Sequence, residues 1–192
     1  MRFPPTHDLD GPHRFWSMIG ATNARRLARE VMRVTLRPSG TIQARIRSAN
    51  AANGWNAPAD PSERTAIVAR LALAITEVAE AIEVVRKPPV DDAHLAEELA
   101  DVVIRLLDLG SGLGIEVLDS DRPDLQVPGG FDLASVDGLV AALGVVASAI
   151  GRLLDAFVAS SVQTPPSLAE ITGGLASPCA QIEAVAAALR LD

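Results

Sequence analysis

Four carboxylates lie at spacings that suit a divalent cation. Glu77 and Glu80 stand three apart in "ITEVAEAIEVVRK" (75–87), and Glu98 and Asp101 stand three apart in "EELADVVIRLLDLGSGLG" (97–114). On a helix, residues three apart share a face. Around the first pair the helical net places Leu73, Ala81 and Val84. The second pair belongs to a polar stripe of His94, Glu98, Asp101, Arg105 and Asp108 on a segment whose other sides are Leu, Val and Ile. That pattern is expected of a helix buried on most sides, with the stripe facing something polar. Buried carboxylates are costly unless they are paired, hydrogen-bonded or bound to metal. Four that converge cannot all stay ionised without a cation. Oxygen donors, no Cys among them and His94 only at the stripe's end select Mg²⁺ or Mn²⁺ over Zn²⁺. A plainer reading remains open: acid pairs of this spacing also occur on wet helices, with Arg105 bridging Asp101 and Asp108 along its own helix.

The elements that must position these groups are all helical, because no segment sustains a period-two alternation. A helix is expected from 13 to about 37, a break at "RPSG" (37–40), and a short second helix ending near Ala52. "NGWNAPAD" (53–60) is a loop. Asp60, Pro61 and Glu63 read as N-cap, first helical residue and capping-box partner of a helix running to Lys87, where "KPPV" stops it. Its apolar face collects Leu71, Ile75, Val78, Ile82 and Val85. Asp91 or Asp92 caps the next helix, which ends in the glycines of "LGSGLG". The tight Pro-Pro connection makes the two acidic helices antiparallel. At ~1.5 Å per residue, both acid pairs then lie roughly 12 to 13 Å from the turn and face each other at one level. Beyond a loop (119–130), a helix is expected from about Ser135 to Ala159. Ser167 and Glu170 open the last helical region, and Pro178 restarts it.

The whole chain of 192 residues suits one all-α domain, with 1–40 a helical extension, 41–118 the acidic core and 131–192 a set of C-terminal helices. An apolar content of 48% against 3% aromatic residues means that small aliphatic side chains fill the core. A net charge of -7 argues against nucleic acid as a partner. The basic run "NARRLARE" (23–30) is a wet helix face, and Phe15, Trp16 and Met18 are packing residues. The lone Cys179 excludes a disulfide framework and fits a reducing, cytoplasmic setting. "MRFPPTHDLDG" lacks the apolar run of a signal peptide, and "GLVAALGVVASAIG" (138–151) falls short of the ~18 residues of a membrane span. Residues 71–87 lie over 139–155 with six identities, all Ala, Leu, Val or Ile. Read as composition, this says only that both helices are aliphatic. Read as a duplication, Glu77 and Glu80 align with Val145 and Ser148, and the second half becomes an acid-poor scaffold that mimics a partner subunit.

The acidic helices resemble the MazG-like, all-α nucleoside triphosphate pyrophosphohydrolases, whose signature is an E-x-x-E helix followed by an E-x-x-D helix. The likeness extends to "ANAANGWNAPAD" (49–60), where an aromatic residue precedes the first acidic helix, and covers roughly 41–118. It implies a helical bundle that hydrolyses a (d)NTP to the monophosphate and pyrophosphate, in nucleotide-pool control or sanitation. Glu77, Glu80, Glu98 and Asp101 would be its metal-holding catalytic residues, with Mg²⁺ or Mn²⁺ as cofactor. Arg105 and Lys87 are then candidates for phosphate, Trp55 for stacking on the base, and Asp108 for sugar or base edges. Structural roles are equally open to these four, as bridge, helix end, core anchor and ion-pair partner. Many members carry a further Glu where this chain has Thr76, which leaves the general base to Glu77 or to a water acidified by the cation. Members are usually oligomeric, so either a homodimer or the internal pseudo-dimer is implied. The alternative function is a catalytically degenerate helical module that binds nucleotide or a protein partner.

Overall fold

The computed structural model describes residues 40–118, 127–161 and 163–191, and among them five α-helices and no strand. They are α1 (Gly40–Ala52), α2 (Arg64–Val85), α3 (Asp92–Gly112), α4 (Val136–Ala159) and α5 (Leu168–Leu189), with a 3₁₀ turn at Pro128–Gly130. The expected helix at 13–37, with Phe15, Trp16 and Met18, lies outside the described residues.

Four helices form a ring in which α2 neighbours α3 and α4, and α5 closes the circuit against both. Helix α1 packs outside the ring on α3. The ring is an all-α bundle, as the absence of alternating segments predicts. Its centre is aliphatic: Ile67, Leu71, Ala74 and Val78 from α2 meet Leu95, Leu99, Val103 and Leu106 from α3, while Leu143, Val146, Ile150 and Phe157 of α4 face Ile171, Leu175 and Ile182 of α5. Because α2 is covered on two sides, its buried arc turns toward Ala74, Val78 and Ala81. Ile75 and Ile82, expected on the core face, are only half-buried at its border. Under the alignment of the two halves, the buried positions Leu71, Ala74, Val78, Ala81 and Val85 coincide with buried Leu139, Ala142, Val146, Ala149 and Leu153.

The caps explain where the helices start. Asp91 Oδ1 accepts from the N–H groups of Ala93 and His94, Ser135 Oγ from Gly138, and Ser167 forms a full capping box with Glu170. The start of α2 differs from expectation. Glu63 Oε1 accepts from the N–H groups of Ala59 and Asp60, and Asp60 Oδ1 accepts from Ser62, so residues 59–63 are held as a turn and the helix begins at Arg64. Pro178 also corrects the sequence reading, since α5 runs through it unbroken. There the buried face of Ile171 and Leu175 continues through Cys179, Ile182 and Val185, and this packing outweighs the lost N–H and the ring's crowding of the preceding turn.

As expected, α3 ends within the glycines of "LGSGLG", at Gly112. Gly110 and Gly112 also let neighbouring chain close on the helix end. A Cβ on Gly112 would lie 2.3 Å from the Pro58 carbonyl oxygen, and one on Gly110 would lie 2.3 Å from Val117 Cγ2. Gln43 of α1 reinforces this closure, its amide donating to the Ile115 carbonyl at 2.5 Å and accepting from the Val117 N–H at 3.2 Å. The 24 residues of α4 exceed the apolar run read from the sequence, and by length and composition alone this helix could cross a membrane. In the bundle its buried face packs on α2 and α5.

Candidate metal centre

Helices α2 and α3 run antiparallel, so partners step in opposite directions along them. Glu80 meets Glu98, and Glu77 meets Arg105 one turn deeper. Arg70 and Asp108 face each other at the far end. Glu77, Glu98 and Asp101 each bring one carboxylate oxygen within 4.8 Å of the other two. Glu77 and Asp101 are buried, at 1% and 8% exposure, and Glu98 is half-buried. Of the four carboxylates expected to converge, three therefore form the tight group. Glu80 stands beside it, half-buried and next to Glu98.

The electrostatics reflect the crowding. Burial pushes the Glu98 carboxyl up to about 8, helped by the charges of Glu80 and Glu77 and by a hydrogen bond with Glu80. His94 Nε2 lies 2.8 Å from Glu98 Oε1, so the histidine at the stripe's end touches the cluster rather than pointing away. Donors of this kind suit a hard cation, since all three converging atoms are oxygens and two of the residues are buried and rigidly placed. Glu80, Glu98 and His94, with Glu83, Val84, Lys87, Pro89 and Asp91, line a cavity of about 420 Å³ toward the interhelical turn.

Arg105 does not bridge acids along its own helix. Its Nε and Nη2 both donate to Glu77 Oε1 across the helix pair, at 3.1 and 2.9 Å, and its guanidinium lies over the Trp55 ring, 4.9 Å from the centroid. Trp55 is half-buried and has Arg70 6.0 Å from its centroid as well. Lys87 is exposed at the end of α2 and pairs with Glu83. Asp108 is buried but pairs with Arg47, at 3.7 Å, and not with Arg105. Burial raises its carboxyl above the ordinary range, partly offset by Asn50, Arg47 and Arg70. Thr76 is exposed, its hydroxyl donating to the Ala72 carbonyl, and takes no part among the carboxylates.

Sequence reasoning passed over Arg47, Asn50 and Arg70. Arg70 lies seven residues before Glu77 and shares its helix face, a spacing that could have drawn attention to it. Nothing in the sequence points to Arg47 or Asn50, which reach the site only because α1 docks across α3. Arg47 donates to the Ala57 carbonyl and Arg70 to that of Asn56, so both arginines also anchor the loop that presents Trp55. Comparison of the chain with protein-family models, with curated proteins and with solved structures finds no match in any of the three.

Proposed function

We propose that this chain is a Mg²⁺-dependent nucleoside triphosphate pyrophosphohydrolase of the MazG-like kind, converting a (d)NTP to the monophosphate and pyrophosphate, with Mn²⁺ as an alternative ion. The observation that carries this reading is the convergence of Glu77, Glu98 and Asp101 within 4.8 Å. When bound, the divalent ion offsets charge on the reacting phosphoryl oxygens and acidifies water. Glu77 and Asp101 would hold the ion from buried, rigid positions, and Glu98 would join them on losing its proton. Glu80, adjacent to Glu98 and on the cavity wall, is the carboxylate placed to take a proton from water. Arg47, Arg70 and Arg105 gather on the opposite side from the cavity, and guanidinium groups favour phosphate. The cavity itself is lined by Glu80, Glu83, Asp91 and Glu98 against Lys87 and His94. That balance repels a polyphosphate and suits the uncharged sugar and base. The hairpin of α4 and α5 would stand where a second subunit packs in a dimeric relative, which makes the bundle an internal pseudo-dimer.

The direct test is incubation of the full-length protein with ribo- and deoxyribonucleoside triphosphates and Mg²⁺ or Mn²⁺, measuring pyrophosphate and monophosphate. Release should occur with at least one substrate and disappear in Glu80→Ala and Asp101→Ala proteins that remain folded. No release from any substrate would favour a non-catalytic module that binds nucleotide or a protein partner. The exposed Thr76, which supplies no carboxylate for orienting water, is the observation on that side.

A further inference from the structure

A buried carboxylate such as Glu77 needs a positive partner close by. Arg105 provides it through two N–H groups that converge on Oε1. Glu77 is also one of the three residues whose oxygens converge as ligands. Arg105 and a bound divalent ion would therefore draw on the same carboxylate, and two cations on one buried anion repel each other strongly in a poorly screened site. The guanidinium has a second seat, the Trp55 ring, 4.9 Å from its centre. That seat is fixed, because Arg70 and Arg47 hold the carbonyls of Asn56 and Ala57 beside it.

On this basis, and resting on the metal-centre reading above, we propose that Arg105 is an exchangeable counter-cation. It neutralises Glu77 until a divalent ion binds, is then displaced from the carboxylate and shifts further onto the Trp55 ring, and so turns its N–H groups toward the phosphates. Arg105 is thus a positioning residue that couples loading of the cation to formation of the phosphate-binding side. Once Arg105 is released, Asp108 still faces Arg47 and Arg70, and among the described residues three guanidinium groups then gather around that carboxylate, which favours an anion. Linkage is reciprocal: if the cation weakens the Arg105–Glu77 contact, that contact weakens cation binding by the same factor.

The test uses the full chain carrying Trp16→Phe, so that Trp55 is the reporting indole, and follows Mn²⁺ binding by calorimetry and by Trp55 emission. Arg105→Gln should bind Mn²⁺ about 5- to 150-fold more tightly than its parent, the usual span of a coupling between two sites. Arg105→Lys, which keeps the charge, should stay near the parent. Mn²⁺ should change Trp55 emission in the parent and not in Arg105→Gln. Equal or weaker Mn²⁺ binding by Arg105→Gln would overturn the proposal and make Arg105 a static brace of Glu77. Where Arg105→Gln does not fold, the parent decides: Mn²⁺ binding that leaves Trp55 emission unchanged also overturns it. A parent that binds no Mn²⁺ removes the metal centre itself, and the exchange with it.

Discussion

Replacing Glu98 by Gln should make the metal-free protein more stable at pH 8 to 9, although it removes the charge from the polar contact to His94. The Glu98 carboxyl titrates near 8 in the fold against an ordinary 4.5, through burial first and then the charges of Glu80 and Glu77. Between those values the folded chain holds a proton that the unfolded chain has released, so stability must fall as pH rises from about 4.5 to 8. The gap is 8 minus 4.5, or 3.5 units, and at about 1.4 kcal/mol per unit the ceiling is about 5 kcal/mol. The side chain keeps 12% exposure and is coupled to Glu80, so the expected loss is roughly half that, about 2 to 3 kcal/mol. Asp60, Glu83 and Glu170 have carboxyls held below the ordinary range by Ser62, Lys87 and Ser167, and their contributions are lost only at lower pH. Asp108, raised by burial, acts in the same direction as Glu98 and leaves a residual slope in the variant. Urea midpoints at pH 5, 6.5, 8 and 9 with a chelator present would measure the decline, and Glu98→Gln should flatten most of it. Saturating Mg²⁺ or Mn²⁺ should also remove the decline in the wild type, because binding expels the proton; below pH 8 the apparent affinity should rise up to about tenfold per pH unit. A wild-type protein as stable at pH 8 as at pH 5, or an unchanged slope in Glu98→Gln, would refute the reasoning.

Glycines on two helices should respond in opposite ways to the same substitution. Gly112→Ala places a methyl 2.3 Å from the Pro58 carbonyl oxygen and 2.8 Å from the Ala57 Cβ, and should lower stability by about 1 to 3 kcal/mol in denaturant melts. Gly144→Ala and Gly151→Ala on α4 meet no atom within 4 Å. Each should raise stability by about 0.5 to 1 kcal/mol through helix propensity alone, read as a higher urea midpoint.

Helical periodicity made the acid pairs legible, because two i, i+3 pairs at equal distances from a short turn leave few other arrangements. The Ser167 capping box was legible for the same local reason, as were a cap at Asp91 or Asp92 and a helix start near Ser135. What escaped was decided by tertiary contact. Spacing left the partner of Arg105 open, because a side chain that can reach Asp101 or Asp108 along its own helix can equally reach across to Glu77 on α2. Asp108 found Arg47 only through the docking of α1, which no spacing reveals. Pro178 was given the meaning it has in an isolated helix, whereas a buried face continuing on both sides holds α5 together. At Asp60–Glu63 the residues that read as a capping box instead tie the preceding turn with their side chains, and the helix starts at Arg64.

The cage resolves its charge by two different means. Glu77, almost wholly buried, is paired with a guanidinium; Glu98, closer to the cavity, is neutralised by a proton that burial first, and then the charges of Glu80 and Glu77, hold in place up to about pH 8. The guanidinium is itself a largely buried group, 11% exposed, so that pairing adds a cation to the helix interface, whereas the proton adds none. A carboxylate cluster with no such provision would oppose the packing of α2 on α3, the contact on which the bundle is built. Under the proposed metal centre the two are experimentally separable: the proton on Glu98 would be read from how stability and cation affinity vary with pH, and the Arg105 contact from the Arg105→Gln variant at a single pH. With Glu77 paired to Arg105 and Glu98 held protonated below about pH 8, three carboxylate oxygens can stand within 4.8 Å of one another in the folded chain.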